Sequence, residues 1–565
     1  MKITAPMARL HRSLFDPAAV TQGQRQLGFW VSLLFAAVYG LVAWTQAFAA
    51  DYVIQDDARH YLFWMERFTR PGAFPEDLIA DYLQSITPLG YKTLYRLAAA
   101  ASISPELLAK LLPLGLGLIA AGYYYWLSLR ILPLPLGACT ASVLLSQTLW
   151  CAEDLSSASP RSFAIPLLIP LVLCVLQEDW KRSYLCLGLL ALFYPAVALV
   201  GLGLYGVRGV TTADGRRRAL TALAVVAICL VPTYVGSQTY GPTVTMAQAH
   251  LIPEFQPGGR HPFFREGLVA YWLGWLGGHS GLFKSSTFLP MTLVAALLWP
   301  LAPRLPLRRL VSADIRILWQ LLGGALVWFI AAYATAFRLH MPNRYTGHTM
   351  TVVVPLLAAI VWLTLVERLL APGRRSPMMA LGLATLIGAA LFFHYPLLLQ
   401  DFPKANYKVG IQGPVYRYLQ QQPLDTLVAS LDYEADNLPN FAQRSVLMAP
   451  EYATPFHLGY YREIRQRAKE LLIAHYTTEP PLFQGFIDRY GVDVWLVNRR
   501  AFEPAYLTEH RYWANNYGEA LRSLDAIALD NSLLAQTADR CSQVTTEEFW
   551  LVETACVLSF AASGS

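Results

Sequence analysis

The residue types best suited to ionic chemistry gather just beyond the first long apolar run, in Asp51-Tyr52-Val53-Ile54-Gln55-Asp56-Asp57-Ala58-Arg59-His60-Tyr61. Ionised carboxylates are costly close to hydrocarbon, so Asp51, Asp56 and Asp57 need either solvent or a task. Solvent would make this an interfacial loop that ends a helix. A task would make it a general base, or a site for a phosphorylated substrate, at the membrane surface. A second acidic pair, Glu153-Asp154, can face the first across a cleft and bind an acceptor or a metal, although helix capping or loop solvation accounts for it equally well. For a phosphate, the cations are Arg59, Arg161 in Ser159-Pro160-Arg161, and Arg344 in Pro342-Asn343-Arg344-Tyr345, with His261 and His340 beside Arg260, Arg265 and Arg338. Guanidinium offers two parallel donors to phosphate, which ranks the arginines first. The competing role for each is an interfacial anchor that snorkels to lipid headgroups, and for Arg260, Arg265 and Arg338 that is the better account.

The elements that must position these groups are mostly membrane spans. The chain has 565 residues, 55% hydrophobic and only 15% charged, where soluble domains carry about a quarter. Apolar runs occupy Phe29–Ala50, Leu107–Leu129, Leu132–Trp150, Phe163–Leu176, Tyr184–Val207, Ala219–Gly236, Phe288–Leu301, Leu318–Phe337, Met350–Val366 and Met378–Leu399, each near the length a bilayer core requires. The expected fold is a mainly α, polytopic membrane protein of about 11 membrane segments, one pair forming a hairpin of short helices. Phe29–Ala50 is too long for a cleavable signal and is preceded by Arg9, Arg12 and Arg25, so it reads as an anchor with residues 1–28 cytoplasmic. The net charge of +6 lies in short loops that set orientation, which excludes a nucleic-acid partner.

Charge bias also decides the hairpin. Read as one helix, Tyr184–Val207 would export Arg208, Arg216, Arg217, Arg218, Arg304, Arg308, Arg309, Arg316, Arg368, Arg374 and Arg375. Broken at Tyr194-Pro195, it returns to the cytoplasm and keeps all of them inside, leaving Arg260, Arg265, Lys284, Arg338 and Arg344 outside. Pro195 supplies the break, since it removes a helix hydrogen bond and disfavours helix in the residue before it. The exoplasmic segments are then the long first loop 51–105, Cys151–Arg161, Ser237–Ser286, Arg338–Thr349 and the tail. Within the first loop, Leu78–Ala100 reads as interfacial amphipathic helices, and Ser104-Pro105 as the start of the next span.

Residues 29–400 therefore form the membrane domain, and 401–565 a soluble, exoplasmic α/β domain. In the tail, Thr426–Ser430, Arg444–Met448 and Val492–Val497 read as strands, while Tyr461–His475 and Leu482–Tyr490 read as helices. A cap or docking role suits this domain better than catalysis. Cys541 and Cys556 can pair in an oxidising compartment. Away from their ends, the spans carry no Asp, Glu, Lys, Arg or His, which argues against an ion-coupled carrier. A lipid or polysaccharide flippase, or a scaffold whose tail binds partners, remains open on these grounds. The aromatic clusters Tyr123–Trp126 and Tyr271-Trp272 read as interfacial belts.

Asp56-Asp57-Ala58-Arg59-His60-Tyr61, placed right after the first span, resembles the first-loop acidic motif of C-type (GT-C) membrane glycosyltransferases. Pro342-Asn343-Arg344-Tyr345 is similar to that family's late-loop Pro-x-Arg-Tyr element, and the short hairpin and soluble tail match its architecture. The resemblance implies a polyprenyl-phosphate- or diphosphate-linked sugar donor, an acceptor glycan, lipid or protein at the exoplasmic face, and inversion at the anomeric carbon. It makes Asp56 the catalytic base and places Arg344, with Arg161 and Arg59, at the donor phosphate. Asp57 diverges from Asp56 by about a hundred degrees if the segment is helical. It is left to hold Arg59, cap a helix or, with Asp56, bind a divalent cation, a cofactor that only some of the family use.

Overall fold

The computed structural model describes residues 4–210, 213–274, 278–283, 289–300, 306–372, 376–518, 521 and 529–563; Lys284, Arg304, Arg374 and Arg375 lie outside them. Among the described residues six helices are long and apolar enough to cross a membrane: Gln22–Ala47, Pro105–Ile131, Ala213–Tyr240, Ala313–Ala334, Asn343–Leu370 and Pro377–Leu398. With the shorter apolar helices these make the chain an integral membrane protein. Asn343–Leu370 is the central helix, 72% buried over its most apolar window against 11% for Ala213–Tyr240. The outer helix instead presents Leu223, Ile228, Val231 and Val235 outward, an apolar face of the kind that meets lipid or another helix. The shorter helices Pro135–Trp150 and Ala164–Leu176 pack inside this ring.

The hairpin forms at the expected residue. Trp180–Phe193 ends at Tyr194 and Pro195–Gly209 begins immediately after it. The two run antiparallel. Ser183 Oγ lies 2.6 Å from the Tyr205 hydroxyl, Tyr184 stacks on Tyr205, and Gly201 sits against Leu187 and Leu171. Fourteen residues rise about 21 Å, which matches the neighbouring helix Ala164–Leu176. Phe193 at the apex packs on Phe163, centroids 4.4 Å apart, so the turn lies at the end of the bundle that also carries Arg161.

The first loop crosses that same end. Its strand β1 (Val53–Gln55) pairs antiparallel with β2 (Tyr407–Val409), tying the loop to the start of the tail. The helices Leu78–Ile86 and Leu89–Ala100 follow, capped by Asp77 at their start, before Ser104 caps the next span. The tail is an α/β domain with a second, five-stranded sheet of β3 (Leu427–Ala429), β4 (Ser445–Val446), β5 (Val494–Asn498), β6 (Ser542–Thr545) and β7 (Phe549–Glu553), in the order β4-β3-β5-β7-β6. The strands β4, β3 and β5 are parallel, and β7 and β6 extend the sheet as an antiparallel hairpin. The helices Leu458–Tyr476 and Pro480–Tyr490 pack beside it. Cys541 and Cys556 form a disulfide. The β6–β7 hairpin and the β1–β2 pairing add to the strands expected from the sequence.

Candidate active site

The structure brings the first loop, the Cys151–Arg161 segment, the loop around His261 and His279, the start of Asn343–Leu370 and the tail to one end of the bundle. Asp56 and Asp57 occupy a turn between β1 and the short helix Arg59–Met65. Their side chains diverge. Asp56 is held by the tail: its N–H donates to the Asn406 carbonyl (3.2 Å), Asn406 Nδ2 donates to its Oδ2 (3.0 Å), and Arg59 and Lys408 (3.8 Å) approach its Oδ1. Burial raises its pKa, but Arg59, then Lys408 and Arg260, outweigh that and hold the carboxyl below its ordinary value. Asp57 pairs with Arg161 instead.

Arg161 stands between carboxylates: besides Asp57, Asp154 Oδ1 lies 3.5 Å from its Nε and Glu153 Oε2 4.0 Å from its Nη2. It borders two cavities. One, of about 210 Å³, is lined by Asp57, Arg161, Tyr194, His279, His340 and Arg344 among others, with His261 and His60 also on its wall. The other, about 720 Å³, is lined by Glu153, Asp154, Arg161, Asp401, Lys404 and Asn406 among others. Asn406 Nδ2 bridges Asp56 Oδ2 and Glu153 Oε2, at 3.0 Å each, so Asp56 lies at the edge of this larger cavity, while Asp57 faces the smaller one.

Arg344 reaches the smaller cavity because Pro342 starts the central helix there. Among the described residues no carboxylate pairs with its guanidinium, and its buried Nε has no hydrogen-bond partner. The adjoining Asn343 pins the histidine loop, its N–H donating to the His279 carbonyl (3.4 Å) and its Nδ2 to Gly278 (3.1 Å). Buried His261 Nε2 and His279 Nδ1 have no hydrogen-bond partner among the described residues. Burial, then Arg344, pushes the His279 and His340 pKa down to about 3. Burial and Arg260 take His261 well below its ordinary value. All three are neutral N–H donors or acceptors near neutral pH.

Arg59 departs from its expected place. Its guanidinium does not line the smaller cavity; it is buried against the tail, with Glu451 Oε2 at 3.0 Å, Asn437 Oδ1 at 3.0 Å and Asp436 Oδ2 at 4.0 Å, in addition to Asp56. Arg59 starts a helix one turn after Asp56, which permits the i,i+3 contact, and the tail's Glu451, Asp436 and Asn437 draw the guanidinium to the interior. Asp57 does not hold Arg59. Arg260 is likewise no lipid anchor: it pairs with Glu451, which also faces His60 Nδ1 at 3.3 Å. The tail thus supplies Asn406, Asp436, Asn437 and Glu451 to this end of the molecule, more than a cap would. No local motif marks these four, or His279.

The carboxylates that could ligate a divalent cation face guanidiniums instead: Asp56 faces Arg59, while Asp57 and Asp154 face Arg161. Among the described residues no group of three His, Cys, Asp or Glu side chains is placed to hold a metal ion.

No family model and no curated protein matches this chain. Its fold matches solved structures at low identity. The archaeal oligosaccharyltransferase AglB from Archaeoglobus fulgidus, in complex with an inhibitory peptide and a dolichol-phosphate, superposes with a TM-score of 0.53 at 12% identity, covering 87% of this chain and 72% of that one. The oligosaccharyltransferase of the same organism in complex with Zn and sulfate gives 0.51 at 12% identity, covering 86% and 70%. A looser likeness, on which nothing below rests, is to ArnT from Cupriavidus metallidurans in the apo state, with a TM-score of 0.44 at 14% identity over 94% and 98%. The chain shares the fold of these archaeal oligosaccharyltransferase structures.

Proposed function

We propose that this chain is a membrane glycosyltransferase that moves a sugar from a polyprenyl-phosphate-linked donor to an acceptor, with Asp56 as general base. The observation that carries this reading is the partition: Arg161 lines both cavities, Asp57 lines the smaller one, Asp56 is held against the wall of the larger one by Asn406, and the smaller cavity holds Arg344, which has no carboxylate partner among the described residues. The dolichol-phosphate in the archaeal structure of like fold fits such a donor. A lipid phosphate in the smaller cavity would accept from Arg344 and from the histidine N–H groups. Charge-assisted hydrogen bonds of this kind are the strong ones.

An acceptor in the larger cavity would approach the anomeric carbon from the side opposite the phosphate, which is the geometry of inversion. Its O–H or N–H bond breaks as its heteroatom bonds to the anomeric carbon, the proton passes to Asp56, and the carbon–oxygen bond to phosphate breaks with its electron pair left on the phosphate. A depressed pKa makes Asp56 a weak base but keeps it ionised throughout the neutral range. Arg161 keeps Asp57 and Asp154 from repelling the phosphate across the partition.

We place this end of the molecule and the tail on the exoplasmic side, with the N-terminus cytoplasmic, on the arginine bias of the loops at the opposite end. Transfer from radiolabelled lipid-linked sugars, compared in membranes carrying wild type and Asp56→Asn at equal expression, tests the base. Equal transfer removes Asp56 from the mechanism, and substrate translocation that survives its loss would favour a flippase. External labelling of single cysteines placed at Arg216–Arg218 would reverse the orientation.

A further inference from the structure

We infer that the smaller cavity is built for a single phosphate, so that the donor's carrier is a polyprenyl monophosphate, with Arg161 filling the place where a divalent cation would otherwise offset further charge. The inference rests on the reading of this cavity as the donor site and deepens it.

Unspent positive charge in the lining limits how many phosphates the cavity can hold. A sugar joined to a lipid through one phosphate carries one negative charge, and through a diphosphate two. Two guanidiniums line the cavity. Arg161 is already committed to Asp57 and Asp154, with Glu153 4.0 Å away, so it offers hydrogen bonds but no surplus charge. Arg344 has no carboxylate partner among the described residues and offers one positive charge. His60 faces Glu451. His261, His279 and His340 stay uncharged near neutral pH because burial and the nearby arginines disfavour their protonated forms. Arg260 is engaged by Glu451. Arg265 packs against the loop at Gly278 and is not part of the lining. Over the lining itself, Asp57 cancels Arg161 and Arg344 leaves one positive charge, with Asp154 and Glu153 standing on the wall of the larger cavity, so one net charge meets one phosphate. A second phosphate would sit unbalanced beside Asp57 and Asp154, where close like charges in a partly desolvated site repel.

A divalent cation is the usual remedy for a diphosphate, and it requires several oxygen ligands around one point. Here the acidic side chains that could supply them converge on the Arg161 guanidinium, which stays charged at any physiological pH. The donor set fits a fixed organic cation rather than a metal. Asn343 adds rigidity by holding the His279 loop against the base of Arg344, so the neutral donors are positioned before the phosphate arrives.

The experiment titrates purified full-length protein in detergent with farnesyl monophosphate and farnesyl diphosphate, reading tryptophan fluorescence, with magnesium or EDTA present. The expected result is monophosphate binding at least tenfold tighter than diphosphate, indifferent to magnesium and EDTA, and weakened at least tenfold in Arg344→Gln. Arg161→Met should make binding respond to added divalent cation, because it frees Asp57 and Asp154. If that variant does not fold, Arg161→Lys, which retains the charge, should keep the monophosphate preference. Diphosphate binding as tight as monophosphate, or binding by wild type that requires magnesium, overturns this inference and leaves the donor site standing. Failure of both lipids to bind, or equal binding by Arg344→Gln, overturns the donor-site reading itself.

Discussion

Replacing Glu451 by Gln tests whether the tail is part of the site. The wild-type carboxylate is 3% exposed and meets Arg59 at 3.0 Å, His60 at 3.3 Å and Arg260. Removing one partner of a buried ion pair costs about 3–5 kcal/mol, because the other charge is left uncompensated. Arg59 keeps Asp56 and Asn437, so the lower end applies to it. Arg260 is 33% exposed, can rehydrate, and adds about 0–1 kcal/mol. The expected destabilisation is about 3 kcal/mol, roughly two decades in the folding equilibrium. The assay is unfolding in mixed micelles with added SDS, followed by intrinsic tryptophan fluorescence, to which the buried tail residues Trp495 and Trp513 contribute. A double-mutant cycle with Arg59→Gln isolates the contact, with an expected coupling of at least about 1.5 kcal/mol. Transfer activity should fall with it, since Arg59 also fixes Asp56. Additivity within about 0.5 kcal/mol, or wild-type transfer by Glu451→Gln, refutes the claim that the tail buttresses the site.

Arg344→Gln removes a charge-assisted contact valued at about 1.5–3 kcal/mol, so KM for the lipid-linked donor should rise about ten- to hundredfold; an unchanged KM with reduced turnover would contradict a binding role. Lys408→Met removes one of the cations that hold the Asp56 pKa down, so the acid limb of the kcat/KM profile should move to higher pH, and a limb that stays in place argues against Asp56 as the titrating base. Because that pKa is depressed in the folded state, its stabilising contribution is present above the unfolded value and is lost as pH falls through the folded one. Glu434 behaves oppositely: burial pushes its carboxyl up to about 7, so its contribution is present at low pH and is lost as pH rises through about 7. The tail should resist unfolding better at pH 6 than at pH 8, and Glu434→Gln should flatten that difference in a pH series of melts.

The membrane helices and the hairpin were legible in the sequence because their causes are local. Apolar runs of span length must bury or meet lipid, and Tyr194-Pro195 must interrupt a helix wherever it stands. Arg344 and Arg161 were legible as residue types at span ends. Glu451 was not: it stands 392 residues from Arg59, in a stretch whose composition is unremarkable for a soluble domain. What makes it matter is the β1–β2 pairing, which places Asn406 against Asp56 and carries the rest of the tail with it. The same long-range dependence explains the misplacement of Arg59. From the motif alone, a guanidinium three residues past a carboxylate can face either the substrate or the interior. Only the tail's Glu451, Asp436 and Asn437 decide it, by making the interior the more favourable place for a charge. A consequence follows for the acidic pair. Asp56 and Asp57 are adjacent, yet a turn flanked by a tail-bound strand and a short helix sends one toward Asn406 and the other toward Arg161. Any change that frees the first loop from the tail should therefore disturb both cavities together, whereas a change at Arg161 should reach the smaller cavity through Asp57 and leave the Asp56–Asn406 contact in place.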